Sequence, residues 1–195
     1  MNKENFSQNR EEKILERCEI LALLISGIKG EYNKETTSEY QKAFIETTIG
    51  AALWYLPEPE YSFAGYISKN CLESLKEEKP KISKEHIFPR KLSAKSLLIE
   101  KVNLDGNQLF ELYIKKYCKL CYITPEENKK ATKYQKDGDF DPKNLLKVYN
   151  ETGIELIKIS SEEFEVLRKN KSSGDTFKKL FTELSKRRAV SEIKL

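Results

Sequence analysis

The chain has 195 residues, 38% hydrophobic and 34% charged, with a formal net charge of +4; this supports one sizeable core with a small appended lobe, in a soluble chain. The longest apolar run, Ile20 to Ile25, is far too short to span a bilayer, and Met1 to Arg10 lacks the basic-then-apolar order of an export signal. Four scattered cysteines, Cys18, Cys71, Cys118 and Cys121, are too few for a disulfide framework, so the expected setting is a reducing cytoplasm with no membrane partner.

In chain order, residues 1–10 read as a frayed start. Ile14, Leu15, Cys18, Leu21, Leu24, Ile25 and Ile28 then fall at helical spacing, with a stop at Gly27 and Gly30. A second helix is expected from Thr36-Thr37-Ser38-Glu39 with Tyr40, Phe44, Ile45, Thr48, Ala52 and Tyr55 on its core stripe, and with Trp54 packed on the first helix. A third, from about Phe63 to Lys76, completes a helical subdomain of residues 1–80. Lys81 to Phe88 reads as a short strand, followed by a loop to about Gly106 and a helix over Asn107 to Tyr117. Leu120 to Thr124 is a β-branched and aromatic run. Thr124-Pro125-Glu126-Glu127 opens a helix that carries Asn128 and reaches about Gln135: a threonine cap, proline at the first position and acids in the first turn. Asp137-Gly138-Asp139 marks a turn. A short helix over Lys143 to Asn150, a strand over Ile154 to Ile159, a helix from Ser160, a break at residues 172–175, a helix over Thr176 to Arg188 and a loose basic tail make up residues 141–195.

Charge is uneven along this order. Residues 84–136 hold 12 Lys and Arg against 6 Asp and Glu, a net of +6 that leaves −2 for the rest. The positive field surrounds His86, the only histidine, whose unperturbed pKa suits a general base near neutral pH. Taken alone, such a histidine is more often a surface or core residue, and such lysines are as readily a solvated face as a phosphate-binding one.

Glu85-His86-Ile87-Phe88-Pro89, a long connection, a short strand and then Ile123-Thr124-Pro125-Glu126-Glu127-Asn128-Lys129-Lys130 together resemble the ββα-metal core of HNH endonucleases over residues 81–136. The resemblance implies an α+β, mainly helical fold: a nuclease core at 81–140 between the N-terminal helical subdomain and a C-terminal helix-strand-helix extension. It implies phosphodiester hydrolysis with His86 as base and with Glu85 and Asn128 holding one Mg²⁺ or Mn²⁺, for which hard oxygen donors are the suitable chemistry. Glu127 takes the place of Asn128 if the register shifts by one. Arg90, Lys91, Lys119 and Lys129 are the expected phosphate contacts. Glu85 and His86, as strand neighbours, both contribute only if the strand ends and twists there, which Pro89 favours.

One position departs from the family pattern: Lys119 stands where an asparagine usually orients the histidine, and a lysine has no acceptor for that task. The Cys118-x-x-Cys121 pair has no second pair beside it, so both cysteines read as small buried hydrophobes rather than structural zinc ligands. The expected partner is nucleic acid, DNA ahead of RNA, in restriction, phage defence or mobile-element biology. The flanks would serve target recognition, a homodimer or a partner subunit. The competing expectation is a nucleic-acid-binding or protein-interaction module that keeps the ββα shape without cutting.

Overall fold

The computed structural model of the chain describes residues 3–99, 104–136, 141, 143–169 and 174–195. The order of elements is α1 (Lys3–Tyr32), α2 (Glu39–Trp54), β1 (Phe63–Ser68), α3 (Lys69–Ser74), β2 (Ser83–His86), α4 (Arg90–Ile99) and α5 (Gly106–Leu112), which runs into a π-helical turn at Tyr113–Tyr117. It continues with β3 (Leu120–Ile123), α6 (Pro125–Lys136), α7 (Lys147–Glu151), β4 (Leu156–Lys158), α8 (Ser161–Lys169) and α9 (Asp175–Ser185). The fold is therefore α+β and mainly helical. It divides into two compact units, Met1–Ser62 with Phe88–Lys119, and Phe63–Ile87 with Leu120–Leu195. This division cuts across the three consecutive parts drawn at residues 80 and 140, because each unit gathers two separate stretches of chain.

The first unit is helical. Ile14, Cys18, Leu21 and Ile25 of α1 are buried, as are Ile45, Ile49 and Leu53 of α2, Ala94, Leu97 and Leu98 of α4, and Leu109 of α5. Helix α1 starts before the supposed frayed segment ends and runs through Gly27 and Gly30, since a glycine costs a helix only about 1 kcal/mol and packing of the buried stripe outweighs it. The segment read as a loop up to Gly106 instead contains α4, whose Ser93, Ala94, Leu97 and Leu98 fall on one buried stripe. Its approach to α2 is tight: a Cβ on Gly50 would lie 3.4 Å from Lys91 Cα. Ser38 with Gln41, and Asp105 with Gln108, form capping boxes that start α2 and α5.

The core stripe assigned to α2 is misplaced. Ile45 is buried as expected, but Tyr40, Phe44 and Tyr55 are 91%, 73% and 74% exposed, and the buried stripe is Ile45, Glu46, Ile49, Gly50 and Leu53. Glu46 is tolerated inside because Tyr32 Oη donates to its Oε1 at 2.7 Å. Trp54 remains 65% exposed, with the Arg90 guanidinium 3.0 Å from its ring centroid.

The second unit is a sheet of order β2-β3-β1-β4 covered on both faces. Strand β3 is antiparallel to β2 and parallel to β1, and β4 is antiparallel to β1. Tyr66, Cys121, Ile123 and Leu156 point into one cluster with Ala131, Leu146, Val148 and Tyr149. Ile67 and Ile157, one residue out of phase, point into the other with Leu72, Phe164, Leu167 and Phe177. Residues 63–76, read as one helix, are β1 and α3: Phe63 to Ile67 is aromatic and β-branched around Gly65, whose φ of +80° strains any other residue. Ser68 then caps α3 by accepting from the Cys71 amide at 3.0 Å. The C-terminal segment expected to be loose is docked, with Val190 N donating to Leu156 O at 2.8 Å and Ile193 packed on the first cluster. The turn at Asp137-Gly138-Asp139 and the first half of the break at 172–175 lie outside the described residues.

Candidate metal and nucleic-acid site

Strand β2 pairs antiparallel with β3 in the register Ser83↔Ile123, Lys84↔Tyr122, Glu85↔Cys121 and His86↔Leu120. Opposed residues share a face, so the placement of Ile123 and Cys121 in the cluster beneath α6 puts Ser83 and Glu85 on that side. Lys84 and His86 take the opposite side, with Tyr122, whose ring stacks on Phe164 of α8 at 4.2 Å. The strand does end at His86. Ile87 nevertheless continues the Glu85 face, in the cluster beneath α6, so the expected twist does not bring His86 round to it.

Glu85 is 7% exposed and takes one hydrogen bond from Gln135 Nε2 at 3.0 Å. Burial raises its carboxyl to about 7, and the Gln135 bond offsets part of that rise. Asn128 sits at the other end of β2: its Nδ2 donates to Ser83 Oγ at 2.7 Å and its Oδ1 accepts from Thr132 Oγ1 at 3.2 Å. Gln135 lies seven positions after Asn128 along α6, a rise of about 10 Å. The two donors are of the right type for one hard cation and lie on one face. They are not held in one shell here, where ligand oxygens would be within about 4 Å of each other. Sharing an ion requires Glu85 and Asn128 to leave Gln135 and Ser83. Among the described residues no cluster of three or more His, Cys, Asp or Glu is placed to hold a metal.

Glu127, the alternative ligand, is occupied otherwise. Its Oε2 accepts from Ser68 Oγ at 2.6 Å and from the Thr124 amide at 2.8 Å, and its Oε1 from Asn70 Nδ2 at 2.8 Å. The Glu127 amide in turn donates to Thr124 Oγ1 at 3.2 Å. This is a capping box extended to the β1–α3 junction, and it makes Glu127 a structural brace. Half of it, Thr124-x-x-Glu127, is written in the sequence; Ser68 and Asn70 had no signal once β1 was read as helix.

The expected phosphate contacts are scattered in role. Arg90 stacks on Trp54, and burial lowers its guanidinium to about 10. Lys91 pairs with Glu46 at 3.6 Å. Lys119 donates to Tyr61 O at 3.0 Å, so the residue in the asparagine position ties down its own unit's chain. Lys129 is exposed on α6, one residue after Asn128. Cys118 and Cys121 are both buried free thiols; burial raises Cys118 to about 11 and pushes Cys121 up further, while its Sγ lies 3.5 Å from Tyr149 Oη. No protein-family model, curated protein or solved structure matches the chain.

Proposed function

We propose that the sheet-bearing unit is a nucleic-acid phosphodiesterase of the ββα-metal type, acting on DNA ahead of RNA. The observation that carries this reading is the β2–β3–α6 arrangement: an antiparallel pair leads directly into a helix, with the buried Glu85 carboxyl, raised to about 7, facing that helix. A carboxylate buried with one neutral hydrogen-bond partner is unfavourable when ionised, and a divalent cation is the partner that would relieve it. Glu85 and Asn128 would hold that ion once released from Gln135 and Ser83. The ion would supply charge stabilisation at the scissile phosphate. His86 would take the proton of the attacking water, which requires the end of β2 to turn it from the opposite side toward the face that carries Glu85 and Asn128. Exposed Lys129 offers a phosphate contact beside Asn128.

A second reading, binding without cleavage, is favoured by the hydrogen bonds that hold Glu85 and Asn128 apart and by Lys119 in place of an acceptor. Incubation of the purified chain with supercoiled plasmid DNA, and in parallel with structured RNA, in Mg²⁺ or Mn²⁺ separates the two. The expected result is nicking that chelator, Glu85→Gln and His86→Ala each abolish. Cleavage by His86→Ala at the parent's rate sinks the assignment of the base, whereas salt-sensitive retention of DNA without any cleavage selects the second reading.

A further inference from the structure

The exposed face of α2 carries several of the large apolar side chains that face water among the described residues. Between Ala43 and Tyr55 the one charged residue is Glu46, and it is buried against Tyr32. What faces outward is Tyr40, Phe44, Thr47, Thr48, Ala51 and Tyr55, at i, i+4, i+7, i+8, i+11 and i+15: one stripe along the whole helix. Ile20 and Leu24 of α1, 61% and 56% exposed, flank it and form a shallow apolar groove with Ala52 and Tyr55. A stripe of this kind facing water marks an interaction surface.

We infer that α2 pairs antiparallel with α2 of a second copy of this chain, about a two-fold axis through the Thr47–Thr48 midpoint. The sizes along the stripe are self-complementary about that point, as an isologous interface requires. Phe44 falls opposite the second copy's Ala51, a large side chain against a small one, Tyr40 falls opposite Tyr55, and the two threonines meet at the centre. Charge agrees with the same register. Arg17, whose guanidinium donates to Tyr55 O, marks the C-terminal end of the stripe, and Glu39, with its side chain 90% exposed and paired at 3.4 Å with Lys42 of the same helix, marks the other. Antiparallel pairing sets Arg17 of each copy beside Glu39 of the other, while parallel pairing would set like charges together. The area is sufficient as well. Three aromatics with about 150 Å² or more each, together with the flanking aliphatics, offer on the order of 800 Å² per copy, the share of a standard-size interface.

The test is sedimentation equilibrium of the full chain across concentration. The parent is expected as a dimer of the 22.7 kDa chain, and Phe44→Glu is expected to weaken association at least 30-fold, on the order expected of an interface hot spot, with an unchanged helical circular-dichroism signal. Should Phe44→Glu lose helix, Tyr40→Lys at a more exposed position serves instead. Arg17→Glu and Glu39→Arg should each weaken the dimer about 5-fold, a surface ion-pair effect, and the double variant should restore it. A parent monomeric up to about 100 μM, or a dimer indifferent to Phe44→Glu and Tyr40→Lys, overturns the inference; a double variant no tighter than the singles overturns the antiparallel register.

Discussion

The two units solve the burial problem differently. The sheet unit covers both faces of its strands, so residues alternating along β1, Tyr66 and Ile67, enter separate apolar clusters. The helical unit buries one stripe of α2 and leaves the opposite one, which carries Tyr40, Phe44 and Tyr55, facing outward. Apolar content therefore does not report which side of a helix faces the core. In a sheet covered on both faces either side is core, whereas in a helical layer one side remains for something else.

The largest expected effect contrasts equal chemistry in the two settings. Phe164→Ala removes a ring buried among Phe63, Tyr122 and their neighbours and should cost about 3–5 kcal/mol of unfolding free energy by urea titration. Phe44→Ala in the isolated protomer should cost under about 0.5 kcal/mol. Equal losses at the two positions would erase the distinction between the units.

Next in size is a pH effect confined to the sheet unit. The Glu85 carboxyl is raised in the folded chain to about 7 from 4.5. Between these values the folded state holds a proton that the unfolded state has released, so stability falls as pH rises from about 4.5 to about 7 and then levels off. The loss is on the order of 3 kcal/mol. Glu85→Gln should remove most of that slope and be the more stable form near pH 8, read from denaturant midpoints at about pH 5 and pH 8. A parent and variant with parallel pH profiles would place the carboxylate in a better-solvated setting than its burial indicates.

A smaller loss, above only the near-neutral Phe44→Ala, falls on the helical unit. Ser38→Ala breaks the capping box with Gln41 that starts α2 and should cost about 1 kcal/mol in thermal unfolding. Little change would mean that tertiary packing, rather than the cap, starts α2.

Much of the local structure was legible because it rests on local chemistry. Thr124-Pro125-Glu126-Glu127 announces α6, Ser160 with Glu163 announces α8, and Ser38 announces α2, since the groups that satisfy the first amides of each helix lie within one turn. The strands around Glu85 and Leu120 were legible too, as was the order strand, strand, helix. The segment from Phe63 was not: its aromatic run fits either period, and only pairing with β3 and β4 makes it a strand.

The candidate site divides along the same line. The sequence by itself placed Glu85 and His86 next to one another at the end of a strand and Asn128 in the first turns of the following helix, because chain position and propensity suffice for that. Tertiary structure decided which of them share a face. The pleat sends Glu85 toward α6 and His86 away, and the rise of α6 carries Gln135, rather than Asn128, over Glu85. It likewise decided that Tyr40, Phe44 and Tyr55 face outward, because a helix with two apolar stripes turns inward whichever one its neighbours α1 and α4 can cover.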